Sequence, residues 1–259
     1  MGIWNQFIFA LHDIPLAWAV FAAVAGNVSI FVLALAVGHW LVKRYNLHRI
    51  VSVPDPISRE EYFLAGLCVL MNGVVAIVGI VLWRAGVLQV RQDIDWRVLV
   101  DTVVLITGMD FLMYVFHRVA HLPILFPLVH RTHHRYENPR PLTLFVLNPL
   151  EVLGFGGLLI VLLWLYPSSV EGILIYLALN MIFGMIGHLG VEPFPRLWTR
   201  WSLTRLISTS TFHAEHHQDK GHNFGFYTLI WDRLFGTLSP DYVAEFESAA
   251  TYRPGHESH

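Results

Sequence analysis

The chain has 259 residues, of which 55% are apolar and only 14% are charged. Because soluble domains carry about 25% charged residues, this composition indicates a membrane protein. The net charge of −2 and the lack of a basic tract argue against a nucleic-acid partner. Cys68 is the only cysteine, so the chain can form neither an internal disulfide nor a cysteine-based metal site.

Five apolar segments are long enough, or nearly so, to cross a bilayer as helices, which takes about 20 residues. In chain order they are 16–41, 62–83, 98–117, 149–166 and 172–191. The short turn between the last two predicts a helical hairpin. The remainder of the chain is more polar and is interrupted by proline and glycine, which predicts a cap at the membrane surface. We therefore predict an all-α fold, a multi-pass helical bundle of about four to five spans with a cytoplasmic, histidine-rich metal-binding cap.

Basic residues orient this bundle, because lysine and arginine are enriched in cytoplasmic loops. With the N-terminus outside, only Arg84, Arg91 and Arg97 fall on the outer side, and the other basic residues fall on the inner side. The bias survives when the C-terminal cap is left out. We therefore predict that the histidine-rich face is cytoplasmic, in a bacterial inner membrane or the endoplasmic reticulum.

Histidines converge on that face from separate parts of the chain. The stretches "HRVAH" (117–121), "HRTHH" (130–134) and "HAEHH" (213–217) carry eight of them, and a ninth lies near the end of the last span. The nine predicted metal ligands are His117, His121, His130, His133, His134, His188, His213, His216 and His217. Ionisable clusters at the edge of a membrane are costly without a function, so a purely structural explanation is disfavoured.

The spacing of these boxes has a direct geometric meaning. Residues i and i+4 lie on one face of a helix, so His117 and His121 can bind one ion together. In HxxHH the first and third histidines share a face and the middle one is turned away, so each such triplet can serve two adjacent ions. Nine imidazoles exceed the four ligands of a structural zinc site. They suit two first-row metals, and imidazole alone does not select among Zn, Cu, Fe and Ni.

Other polar residues near the boxes are candidates for orienting the ligands. Asp110 and Tyr114 lie on the same helical stripe as His117 and His121. Asp110 could accept a hydrogen bond from a ligating imidazole, as carboxylates commonly do, or it could bond to another helix. Glu215, inside the third box, could act in the same way or be solvated. His12 and His39 are predicted to be structural or interfacial, and His256 and His259 to be tail residues.

These motifs together resemble the fatty acid hydroxylase and sterol desaturase superfamily. The order HRxxH, HxxHH, HxxHH matches it, as do "MDFLMYVFHRVAH" before the first box and "NFGFYTLIWDRLFGT" (223–237) after the last. The stretch "ENPRPLTLFVLNPLEVLG" is more similar to the sterol desaturase branch, although Asn148 replaces the histidine of its HPxE-type pattern. Some members carry a further histidine one turn from His188, where this chain has Gly184 or Glu192, and His222 or Asn180 could substitute for it.

The resemblance implies two iron ions that activate O2 to oxidise a lipid C–H bond in a sterol-like or fatty-acyl substrate. It also implies external electrons from a cytochrome b5-like protein or a ferredoxin and its reductase. Zinc could replace iron in a purified or inactive form. The expected domains are an N-terminal transmembrane region over 1–97, a catalytic domain over 98–245 and a polar tail over 246–259. Trp231, Asp232 and Arg233 are expected to lock the cap, and the oligomeric state is left open.

Two other functions are compatible with the histidines themselves. A zinc-dependent membrane hydrolase could use the boxes, although the HExxH motif with its general base is absent. A non-enzymatic membrane carrier of metal or haem could also use them, but a haem needs only two axial histidines and leaves the HH pairs unexplained.

Overall fold

A computed structural model describes residues 12–92 and 94–251. His256 and His259 and the last part of the predicted tail therefore lie outside the described residues. The described chain is helical and contains no β-strand beyond isolated bridges. The long helices are α1 (Leu16–Arg44), α2 (Arg59–Arg84), α3 (Arg97–Ala120), α6 (Pro149–Leu165) and α7 (Val170–Gly187). The prediction of an all-α membrane bundle is confirmed.

Helices α1, α2, α3 and α7 are long and apolar enough to cross a membrane. Helix α6 has 17 residues and is apolar apart from Glu151 in its first turn, so it is a shorter companion in the predicted hairpin. Several helices begin where the sequence supplies a cap. Ser58 and Glu61 form a capping box at the start of α2, and the side chains of Asn148 and Ser169 accept from the first turns of α6 and α7.

The bundle is built by packing between neighbouring helices. Helix α1 packs on α2, α2 on α6, and α3 lies between α6 and α7. At one end of the bundle, the Asp101 carboxylate accepts from Arg91 and from the Tyr166 hydroxyl, and it also accepts from the backbone and hydroxyl of Ser169. This buried cluster ties the start of α3 to the α6–α7 turn, because one carboxylate accepts charge-assisted hydrogen bonds from residues on both sides.

Short elements bring the histidine boxes together at the other end of the bundle. Helices α4 (Phe126–Val129) and α5 (Arg131–His134) follow α3, and a 3-10 turn over Pro141–Phe145 follows them. The Arg140 guanidinium pairs with the buried Glu61 carboxylate, which fixes this segment against α2. After α7 come two 3-10 turns, Arg196–Thr199 and Thr204–Leu206, and then α8 (Ser210–Gln218), α9 (Ile230–Phe235) and α10 (Tyr242–Ala249).

Candidate metal centre

The structure gathers all nine predicted histidines into two adjoining groups. The first group, the five-histidine group, contains His117, His121, His130, His134 and His216. The second, the four-histidine group, contains His133, His188, His213 and His217. Within each group the ligand atoms lie within 4.8 Å of one another. Each group therefore has the donors and the spacing for one metal ion.

The two HxxHH boxes interlock between these groups. His130 and His134 enter the five-histidine group, whereas His133 between them enters the four-histidine group. Helix α8 shows the reverse arrangement. Its i, i+4 pair, His213 and His217, joins the four-histidine group, and His216 joins the five-histidine group. Each triplet thus serves both groups, as the helical spacing predicts, and the groups lie side by side, with the His134 and His217 rings 5.0 Å apart.

The ring nitrogens converge in a consistent orientation. In the five-histidine group, the Nε2 atom of His134 lies 3.1 Å from that of His121 and 3.0 Å from that of His216. In the four-histidine group, the Nε2 atom of His217 lies 3.1 Å from those of His133 and His213. Neutral imidazoles whose Nδ1 carries the proton would direct their Nε2 lone pairs at one another, and a metal ion between them would bind these lone pairs.

Acceptors outside the groups fix this tautomer for several rings. The Nδ1 atom of His117 lies 2.9 Å from the Phe224 carbonyl oxygen, and that of His216 lies 2.6 Å from the His222 carbonyl oxygen. The Nδ1 atom of His188 lies 2.8 Å from the Gly184 carbonyl oxygen. Each of these rings donates from Nδ1 and keeps Nε2 as the metal-facing atom, which is how metal-binding histidines are commonly oriented.

Burial keeps the imidazoles uncharged. Burial and the neighbouring imidazoles lower the pKa of His134 to about 2, and they lower the pKa values of His133, His216 and His217 well below the ordinary value. Since a metal ion requires the neutral imidazole, these ligands are ready to bind at neutral pH. The donor set therefore fits two first-row metal ions.

Glu151 is a contributor that the sequence reasoning missed. Its Oε1 atom accepts from His130 Nδ1 at 2.6 Å, and both residues are buried. Glu151 is the acidic position of the HPxE-type pattern, and Asn148, which replaces that pattern's histidine, caps α6 instead. An acidic residue in so apolar a helix is itself a signal of function.

Glu192 holds the helix that carries the third box. Its Oε2 atom accepts from the backbone N–H of Thr211 at 3.0 Å and from the Thr211 hydroxyl at 2.7 Å, and Oε1 accepts from the Phe194 N–H. Burial raises the pKa of Glu192 to about 7, and the Thr211 hydrogen bonds oppose this rise. Glu192 therefore occupies the position expected for a further ligand but serves to fix the start of α8.

The segment 223–237 closes over the five-histidine group through two buried aspartates. The Asp232 carboxylate accepts from the backbone N–H groups of Phe224 and Gly225 and from the Thr237 hydroxyl. A Cβ on Gly225 would lie 2.5 Å from the Thr228 carbonyl oxygen, so this turn requires glycine. Asp232 thus positions the Phe224 carbonyl that accepts the hydrogen bond from His117 Nδ1, in keeping with the predicted locking role of this segment.

Asp110 binds the same segment rather than a histidine. Its carboxylate accepts from the N–H groups of Tyr227 and Thr228, from the Thr228 hydroxyl and from Trp231 Nε1. The sequence left open whether Asp110 bonds to an imidazole or to another helix. In the structure it bonds to the cap, because four donors from one short segment already saturate this carboxylate. The carboxylate–imidazole pair is supplied by Glu151.

The remaining candidates lie around the histidine groups without entering them. Tyr114 contacts Thr237 through its hydroxyl, and the Asn180 side-chain oxygen accepts from the Tyr227 hydroxyl. Glu215 accepts from the Asn223 amide, which donates to it across a turn with positive φ at Asn223. The His222 ring pairs with Asp219, and only its backbone carbonyl reaches a ligand.

Comparisons with known proteins agree with this geometry. The profile of the fatty acid hydroxylase family matches residues 102–237, just over half of the chain. The chain is 34% identical over 134 residues to the very-long-chain aldehyde decarbonylase GL1-1 of Oryza sativa subsp. indica, covering 49% of this chain and 22% of that protein. It is 28% identical over 141 residues to a putative methylsterol monooxygenase of Dictyostelium discoideum, covering 53% of this chain and 51% of that protein. It is 29% identical over 132 residues to the C-4 methylsterol oxidase erg25 of Schizosaccharomyces pombe, covering 48% of this chain and 42% of that protein.

The chain spans between 22% and 54% of the length of these and the other first curated relatives that it matches. No solved structure matches the chain significantly. The matched region contains all nine histidines, together with Glu151, Glu192 and the Asp232 segment. On the profile match and the arrangement of its histidines, the chain belongs to the fatty acid hydroxylase family.

Proposed function

We propose that this protein is a membrane-bound, non-haem di-iron oxygenase that uses O2 and external electrons to hydroxylate or desaturate a lipid C–H bond. The observation that carries the proposal is the pair of adjoining histidine groups, one of five residues and one of four, at one end of an apolar bundle. When bound there, two iron ions would supply O2 activation and the oxidising power. The curated relatives named as sterol oxidases support the same chemistry.

The chain's own groups would keep the metal ligands in place. Glu151 and the carbonyls of Phe224, His222 and Gly184 hold four rings in one tautomer. The two buried groups exclude bulk water, which protects an oxidising centre from side reactions. Such pre-organisation means that binding a metal requires little rearrangement of the protein.

A small cavity of about 10 Å3, with room for about one water molecule, adjoins the four-histidine group. It is lined by Phe183, Gly184 and Gly187 of α7, by Phe226 of the cap, and by the rings of His188 and His213. Its lining combines phenylalanine rings with histidine rings and Ser208, so these side chains would have to move apart to admit a lipid carbon. We infer that a sterol-like or fatty-acyl lipid presents one carbon here, with the rest of the molecule in the bilayer.

Electrons would come from a separate carrier, such as a cytochrome b5-like protein or a ferredoxin with its reductase. The exposed, charged surface of the cap, at Arg196, Arg200 and Glu247, is available for such a contact. We place the histidine groups on the cytoplasmic face, in keeping with the distribution of basic residues along the sequence.

The test is a reconstituted assay of the full chain in lipid nanodiscs. The iron-loaded protein with a chemical reductant should consume O2 and convert a supplied sterol or acyl lipid to an oxidised product that mass spectrometry detects. His133→Ala should abolish both signals and lower the iron content, whereas His39→Ala, on the exposed face of α1, should change neither. O2-independent hydrolysis by a zinc-loaded protein would refute the proposal, as would full activity of His133→Ala.

A further inference from the structure

Outside the metal centre, an apolar groove of about 350 Å3 runs along α3 beside the cap. Phe111, Val115 and Val119 of α3 and Leu122 just after it form one wall, and Phe235 of α9 forms the other side. The volume is near the lower end of the range for small-molecule sites, about 300–1,000 Å3. The side chains of Val115 and Val119 are 40% and 42% exposed, so the described chain leaves this wall accessible.

Among the described residues that line the groove, Arg118 is the one cation. Its Nη1 atom donates to the Tyr114 hydroxyl at 3.1 Å, and its guanidinium lies 5.0 Å from the centroid of the Phe224 ring. Within the described residues no carboxylate pairs with Arg118. The guanidinium therefore keeps donors for a ligand, and its planar fork matches phosphate oxygens.

The groove carries its charge between a short apolar stretch, Val119 and Leu122, and a longer one that runs back along α3 to Phe111. Arg118 lies in the last turn of α3, at the end of an apolar span, and Phe111 lies seven residues earlier. At 1.5 Å per residue, the apolar wall runs about 10 Å deeper into the bundle than the charge does. This order of charge and apolar surface matches a bilayer phospholipid, whose headgroup lies at the surface above its acyl chains.

We propose that this groove binds one anionic phospholipid of the surrounding membrane. Its phosphate would contact Arg118, and an acyl chain would lie along Val115 and Phe111. A zwitterionic lipid carries its own cation, so it would gain less from the arginine. Arg118 itself lies on the Phe224 ring, next to the carbonyl that orients His117, but the site requires no metal and is independent of the proposed reaction.

Native mass spectrometry of the full chain in detergent tests this site directly. The probes are dimyristoyl phosphatidylglycerol, dimyristoyl phosphatidylcholine and free myristate, which share the same acyl chain. The wild type should retain one phosphatidylglycerol per chain in preference to the other two. Arg118→Gln should bind phosphatidylglycerol about tenfold more weakly, as expected for the loss of one charge-assisted contact. Val115→Trp should weaken binding of both phospholipids, because the indole fills the groove.

Arg44→Gln is the matched control. Arg44 is an exposed arginine in the last turn of α1, as Arg118 is in the last turn of α3, and it lies outside the groove. It should bind phosphatidylglycerol as the wild type does. Equal retention of the two phospholipids by the wild type would overturn the proposal. A preference for myristate would also overturn it, as would unchanged phosphatidylglycerol binding in Arg118→Gln and Val115→Trp.

Discussion

At the scale of single residues, the centre depends on neutral imidazoles that face one another at close range. Nε2 atoms about 3 Å apart, such as those of His134 and His216, repel unless a cation or a proton lies between them. Protonation is unfavourable here, because burial destabilises the charged imidazolium. The same burial that prepares the ligands for a metal therefore makes the metal-free protein sensitive to acid.

Removing the metal should expose this sensitivity to pH. An unfolded histidine titrates near pH 6.5, about its reference value, whereas the pKa values of His133, His134, His216 and His217 are lowered in the folded state. Below about pH 6.5 the unfolded chain therefore binds more protons, and stability falls as pH falls. Thermal unfolding of the chelated protein should show a melting temperature that drops between about pH 7 and pH 5, while iron-loaded protein resists this drop. Parallel curves for the two forms would contradict the explanation.

Glu151 offers a second test at a single position. Glu151→Gln removes the carboxylate that accepts from His130, so we expect iron affinity of the five-histidine group to fall by about 10–100-fold. Metal titration with the purified protein measures this change. Glu137→Gln, an exposed acidic position near the second box, is the matched control and should bind iron normally. Equal affinities in the two variants would remove Glu151 from the centre.

The sequence indicates the ligands better than the groups that orient them. The i, i+4 spacing of His130 and His134 predicts that they share a face, and the structure agrees, because this relation is local to one turn of helix. Glu151 meets His130 only after α6 folds back onto the second box, and the Phe224 carbonyl meets His117 across more than a hundred residues. Asp110 shares a helical stripe with His117, yet its hydrogen-bond donors come from the cap. Helical periodicity predicts contacts within one helix and could not indicate this partner.

At the scale of elements, α8 is the part whose placement the centre requires most. It supplies ligands to both histidine groups, and Glu192 and the Thr209 cap fix its first turn. The long helices could be predicted closely because a bilayer sets their length, and their observed ends differ from the predicted ones by a few residues. The cap could be predicted only as a polar region, since its short helices are held by tertiary hydrogen bonds rather than by an apolar pattern.

Loss of the Glu192 carboxylate should release α8. Glu192→Ala leaves the Thr211 N–H and hydroxyl and the Phe194 N–H without their acceptor, which we expect to lower the free energy of unfolding by about 3 kcal/mol. Iron content should fall with it, because His213 and His217 follow Thr211 on the same helix. Glu192→Gln keeps an acceptor oxygen and should lose less stability and less iron. Glu245→Ala, at an exposed position of α10, should behave as the wild type. Equal melting temperatures for Glu192→Ala and Glu245→Ala would contradict this role.

At the scale of the whole molecule, the bundle places a polar, histidine-lined cap at one end and the Asp101–Arg91 cluster at the other. The family and the four apolar spans establish a membrane protein, and the side of the membrane that the cap faces remains a prediction from the basic residues. The expected domain boundaries at 97 and 245 also remain predictions.

Cysteine labelling tests the predicted orientation, because the chain's one cysteine, Cys68, is buried. Ile94→Cys lies in the exposed loop before α3, and Glu137→Cys lies beside the second box. In intact expressing cells, a membrane-impermeant maleimide should label Ile94→Cys and should label Glu137→Cys only after lysis. Labelling in the reverse order would place the histidine groups outside.

The most direct test of the central claim is the iron content per chain in histidine variants taken from each group. His121 belongs only to the five-histidine group, and His188 belongs only to the four-histidine group. After anaerobic loading and desalting, elemental analysis should find two iron ions in the wild type, fewer in His121→Ala, which leaves four imidazoles in its group, fewer still in His188→Ala, which leaves three, and the fewest in the double variant. A single tightly bound zinc ion in the wild type, or full iron content in the double variant, would contradict the assignment of two metal ions to these nine histidines.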